Sequence, residues 1–245
     1  MKKLILMMLV MVAVFTVHAK ETGSSDNSDK SGFRIHGGVG ISTMYFSDQD
    51  NNYDNLKTKI KVGGFVGAGY EFRIGSVFAL QPELNYANKG AKRIFDNPLN
   101  SEHVKLTINM HTLELPILAK FYIGDHFNIY AGPYISYLVA AAVKSKFYNT
   151  SDVKTSEDKS VNIMKDNYKD VNGNSYFKRF DVGLSAGLEF VTDGGFFVGA
   201  RINQGFVDLT NNNYNGYVGT GAIIFKGDNK WVGNTGVQVM AGFKF

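Results

Sequence analysis

The chain has 245 residues, 44% of them hydrophobic and 20% charged, with 27 Gly, 4 Pro, 19 Phe, 13 Tyr, one Trp, no Cys and a formal net charge of +4. The missing Cys excludes a disulfide framework, a zinc–thiolate cluster, a thiol nucleophile and a lipidated N-terminal cysteine. Its hydrophobic content is too high for wholesale disorder, and abundant Gly and aromatics suit strands and turns better than a helical bundle.

The first element is an export signal. Lys2 and Lys3 precede an apolar run at 4–17 broken only by Thr16, and Val17-His18-Ala19 offers small residues for cleavage after Ala19. The run is shorter than the roughly 20 residues of a membrane-spanning helix. Losing Lys2 and Lys3 from 26 basic residues leaves 24 against 22 acidic ones, so the net charge gives no case for nucleic acid as a partner. Residues 20–32, KETGSSDNSDKSG, read as a flexible polar leader, and 33–245 as one domain.

From residue 33 the hydrophobic period becomes two, as in a strand with one apolar and one polar or small face. Phe33, Ile35, Val39, Ile41 and Tyr45 oppose Arg34, His36, Gly38, Gly40 and Ser42. Seven further strands are expected, at 59–74, 77–88, 105–123, 126–144, 177–191, 195–209 and 231–245. In the fourth, the apolar residues change parity, which predicts a β-bulge or a passage beyond the membrane near 110–113.

The joins alternate in length. Gly75-Ser76, Gly124-Asp125 and Thr192-Asp193-Gly194 are tight turns, whereas 47–58, 89–104, 145–176 and 210–230 are long and polar. Short turns on one rim and long loops on the other define the fold class expected here: all-β, an eight-stranded antiparallel up-and-down transmembrane β-barrel with short periplasmic turns and long extracellular loops. A soluble, lipocalin-like barrel with its apolar face inward is the weaker alternative.

Eight strands enclose a lumen only wide enough for side chains. The inward set includes Arg34, Arg73, Lys120, Arg201 and Lys244 against Glu71, Glu83, Glu114, Asp181 and Glu189. Paired, they form a charge network filling the bore, since buried charges persist only with partners. Catalytic, cofactor and metal sites are not expected. No G-x-S-x-G or H-E-x-x-H occurs. The weighed exception is an outer-leaflet lipid or peptide hydrolase using His111 with Glu114 or a nearby Ser; His103 lies on the same strand, and His36 and His126 near the turn rim. A narrow channel is the other alternative. The acidic run at 48–54 fails the calcium-loop pattern at Tyr53 and Lys59, and residues 145–176 read as a solvated charged face. The apolar run at 217–225 suits a hairpin above the membrane or a contact surface.

The runs FALQPELNYANKGAK at 78–92, LELPILAKF at 113–121, YAGPYISY at 130–137 and GFFVGAR at 195–201 resemble the strand signatures of PorT-like outer-membrane β-barrel proteins. The resemblance spans 33–245. It implies an integral outer-membrane protein without catalytic residues, a non-enzymatic scaffold, surface or secretion-associated component acting through loops or partners. Its partners would be outer-membrane lipid, the barrel assembly machinery, for which Phe243 and Phe245 resemble the C-terminal signal, and other envelope or secretion proteins.

Overall fold

The computed structural model describes residues 31–46, 56–97, 102–148, 159–164, 169–170, 172–211, 213, 218–219, 224–225 and 232–245. The signal at 1–19, almost all of the leader and the acidic run at 48–54 lie outside them. In chain order the strands are β1 (Gly32–Phe46), β2 (Leu56–Lys59), β3 (Lys61–Ile74), β4 (Phe78–Asn97), β5 (Glu102–Ile123), β6 (Phe127–Tyr148), β7 (Lys159–Asn162), β8 (Phe180–Val191), β9 (Phe196–Gly205), β10 (Val218–Gly219), β11 (Ile224–Phe225) and β12 (Val232–Lys244). Gly32, read as the end of the leader, already pairs with Glu71.

Eight of these strands form one antiparallel ring in the order β1, β3, β4, β5, β6, β8, β9, β12. It closes where β12 pairs β1 from Arg34↔Lys244 to Phe46↔Val232. No sheet edge is left between neighbours, the condition for strands to cross hydrocarbon. The β3–β4 and β5–β6 turns are tight because Gly75 and Gly124 adopt φ of 76° and 68°, open to Gly without strain. The chain ends at this same rim, where Phe245 N–H donates to Phe33 O at 2.8 Å.

Alternation puts apolar side chains outside. Ile35, Val39, Ile41, Val66, Ile117, Ile135, Leu184, Leu188, Ile202, Val237 and Val239 are exposed. Aromatics flank them: Phe121, Phe190, Phe196 and Phe243 near the turns, Tyr45, Tyr86, Phe180 and Phe206 toward the loops. On β8, ten steps from Phe180 to Phe190, at about 3.3 Å each and tilted about 40°, rise about 25 Å. That matches a bilayer's apolar band. A soluble protein could not expose such a belt, since patches on soluble monomers stay within a few hundred Å².

The wall is taller on one side. β4, β5 and β6 run 20, 22 and 22 residues, beyond the roughly 9–11 needed to span. β2 extends the β4 ladder and β7 the β6 ladder above the membrane. The expected irregularity at 110–113 is a register shift between His111 and Thr112. Because His111 faces Ala140 and Thr112 faces Leu138, the extra residue belongs to β6, at Val139. β5 keeps its parity, so Leu106, Ile108 and Met110 point inward with Thr112 and Glu114. Above the belt the outside meets water, and the apolar residues move to the inner face. Residues 218–219 and 224–225 form an antiparallel pair, the hairpin form of the two readings; the rest of 217–225 lies outside the described residues.

Candidate functional site

The bore is built in three layers from the turn rim upward. In the lowest, Glu71 on β3 receives Arg34 Nη1 at 2.7 Å, Lys120 Nζ at 3.0 Å, Lys244 Nζ at 2.7 Å and the Tyr122 hydroxyl at 2.6 Å. Glu189 on β8 receives Arg34 Nη2 at 2.6 Å, Lys120 Nζ at 2.8 Å and Asn128 Nδ2 at 3.3 Å. Arg34, Glu71 and Lys120 are each 0% exposed, so their charges persist there through one another. Arg34 also lies over the Phe197 ring at 3.8 Å, and Arg73 over Tyr122 at 3.4 Å.

The middle layer centres on Glu83. Arg201 grips it with two bonds of 2.8 Å, the fork geometry that guanidinium and carboxylate share. Gln81 Nε2 donates to Glu83 at 2.5 Å while its Oε1 accepts from Lys120 Nζ at 3.0 Å, joining this layer to the one below. Asn85 Nδ2 donates to Glu83 at 2.8 Å, and its Oδ1 lies 2.9 Å from His36 Nε2. Higher up, Lys89 meets Glu114 at 2.5 Å, and the Tyr134 hydroxyl donates to Asp181 at 3.2 Å. Lys61 donates to Asn88 Oδ1.

The tyrosines need space opposite them. A Cβ on Gly187 would lie 2.6 Å from Tyr130 Cζ and Oη, and one on Gly183 2.6 Å from Tyr134 Cε1. Gly187→Ala is therefore expected to cost the barrel about 1–3 kcal/mol through overpacking. Urea unfolding in detergent micelles measures it, and an unchanged midpoint would show that both Tyr130 and the Ala200 carbonyl, which lies closer still to that Cβ, have room to move.

The third layer is mostly apolar, with Arg93 and Ser145 buried in the row of Leu106. Met44, Leu106, Ile108, Met110, Leu138 and Val143 from three strands pack with Ile163, Met164, Tyr176, Phe177 and Leu209 from the loop side. Backbone bonds tie these loop residues down: Ile163 N to Ala141 O at 3.0 Å, Lys178 N to Leu209 O at 2.8 Å and Leu209 N to Val232 O at 2.9 Å. A largely apolar lid thus sits on a charged interior.

Nine of the ten expected interior residues are buried inside the ring, and Arg73 is half-buried over the Tyr122 ring. Sequence reasoning missed Gln81, Asn85, Lys89 and Asn128, and it left His36 and three tyrosines out of the network. Their inward parity was the available signal for all but Lys89, which lies past the expected end of its strand at 88. His111 and Glu114 stand on opposite faces of β5. His111 Nδ1 lies 2.7 Å from the outward Tyr86 hydroxyl, whereas Glu114 is inside with Lys89, so no dyad assembles. His126 lies at the turn rim, 3.1 Å from Val191 O. His103 is in β5, its side chain outside the described residues. Among the described residues, no three His, Asp or Glu side chains are grouped to hold a metal.

A closed antiparallel ring with an aliphatic belt outside and charges inside is an eight-stranded transmembrane barrel of the bacterial cell outer membrane. The family model "Outer membrane protein beta-barrel domain" matches residues 24–211, and the chain belongs to that family. It is similar in structure to Ail, the attachment invasion locus protein of Yersinia pestis, at 13% identity over 87% of this chain and 99% of that one, with a TM-score of 0.42. The outer membrane protein OprG from Pseudomonas aeruginosa aligns at 18% identity over 90% and 99%, TM-score 0.45. Neisserial surface protein A aligns at 11% over 88% and 99%, TM-score 0.40. The sequence finds no significant match among curated proteins.

Proposed function

We propose that this chain is a non-conducting, non-enzymatic outer-membrane barrel that acts through its exterior, as a scaffold, surface or secretion-associated component of the PorT-like kind. The observation that carries the reading is the double closure of the bore, by a paired charge network and then by an apolar layer. Ions crossing it would have to displace charge-assisted hydrogen bonds and then shed their water among Leu106, Ile108 and Met110, which is costly in low dielectric. The separation of His111 from Glu114 supports the absence of hydrolytic chemistry. Phe243 and Phe245, exposed at the end of the ring, suit a signal read by the barrel assembly machinery. The tall wall of β4, β5 and β6 with its loops is the surface offered to other envelope or secretion proteins.

Planar-bilayer recording of the refolded barrel tests this directly. No conductance steps are expected at neutral pH in 1 M KCl, and steady single-channel currents would overturn the closed-bore reading. Crosslinking in intact envelopes through sites on the tall wall, followed by pull-down, identifies the partner.

A further inference from the structure

The tall wall carries a basic row on its outward face. Paired residues on neighbouring strands share a face, and the register runs Lys59↔Lys92, Lys92↔Thr107, Thr107↔Lys144 and Lys144↔Ser160 across β2, β4, β5, β6 and β7. The next row places Lys105 opposite Lys146. With strands about 4.8 Å apart, Lys92 and Lys144 stand about 10 Å from each other. Among the described side chains on this face above Tyr86, none is acidic. Like charges directly opposite one another destabilise a sheet, yet Lys59↔Lys92 is such a pair. A bound polyanion would offset that repulsion.

The height of the row selects the anion. Lys59 is followed at once by Ile60 and Val62, 55% and 64% exposed, which begin the lipid belt on β3. Lysine stems are long enough to follow apolar surface while the ammonium reaches toward water, so the Lys59 ammonium adjoins the membrane boundary, and Lys92, Lys144 and Lys105 step up from it toward the loops. We propose that Lys59, Lys92, Lys105 and Lys144 form a docking surface for the phosphate headgroups of anionic lipid in the outer leaflet. Each basic residue near an anionic surface adds attraction that salt screens, and four on one side of the ring give the barrel a lipid-selective flank.

The test uses the full-length barrel refolded into phosphatidylcholine vesicles, comparing spin-labelled phosphatidylglycerol with spin-labelled phosphatidylcholine. Wild type is expected to select the anionic lipid about 3-fold at low salt, falling toward parity at 1 M salt as the Debye length shrinks to about 3 Å. The Lys59→Gln, Lys92→Gln, Lys105→Gln, Lys144→Gln variant is expected to lose the selectivity, and the corresponding Arg variant to keep it. Heat-modifiable migration on a detergent gel verifies that each variant is folded. Equal selectivity in wild type and the Gln variant, or parity in wild type, overturns the proposal. So does binding of soluble polyphosphate by wild type without selectivity for the anionic lipid.

Discussion

Replacing Glu71 by Gln is expected to lower the unfolding free energy of the refolded barrel by about 3–5 kcal/mol, the usual cost of breaking a buried ion pair from one side. The substitution keeps the shape and removes only the charge. Arg34, Lys120 and Lys244 then face one another with Glu189 as the remaining carboxylate of the layer. The second half of the cycle tests the mechanism. Adding Lys120→Gln to Glu71→Gln removes one excess positive charge and is expected to recover part of the loss, a coupling of at least about 1 kcal/mol between residues in one network. Urea titration in lipid vesicles supplies all four corners. A single-variant loss below about 1 kcal/mol would mean that water reaches this layer.

Val239→Arg on β12 tests the outside of the ring. Val239 is 58% exposed and lies between Phe243 at one girdle and the loop end of the strand at Val232. Arg at that depth is expected to cost about 2–4 kcal/mol, whereas Thr235→Arg, on the same face but near the loops, is expected to cost at most about 1 kcal/mol. The difference between the two reports depth in the bilayer. Equal effects in folding titrations would place the belt elsewhere.

Much of this architecture was legible because lipid makes strong demands on alternation. β8 is the clearest case, its buried and exposed residues alternating over most of its length, and the turns at Gly75 and Gly124 carry the residues that tight geometry requires. Legibility fell away where the lipid ends. Residues 89–97 continue β4 but read as a loop, because above the membrane the outward face answers to water and no aliphatic period remains. The change at 110–113 on β5 was visible as a break, but its extra residue sits on β6, where the sequence of β5 carries no trace of it. The ten interior charges follow from parity alone; which acid meets which base depends on the stagger of the closed ring, so the joining of Glu71 to three cations could be read only from the fold. The apolar layer is the chief surprise, since an interior expected to be polar throughout becomes largely apolar toward the loops.

The reach of the interior bonds along the chain says something about how the molecule comes together. Lys244 and Glu71 are 173 positions apart, Arg34 and Glu189 155, and Arg201 and Glu83 118. No single hairpin contains both members of any of these pairs. A half-built sheet must therefore keep these charges hydrated, and they trade water for one another only when the first and last strands meet. These three pairs act as a latch: they stay open to solvent until the ring closes, whereas Lys89–Glu114 and Lys120–Gln81 lie within the β4–β5 hairpin and can engage before it.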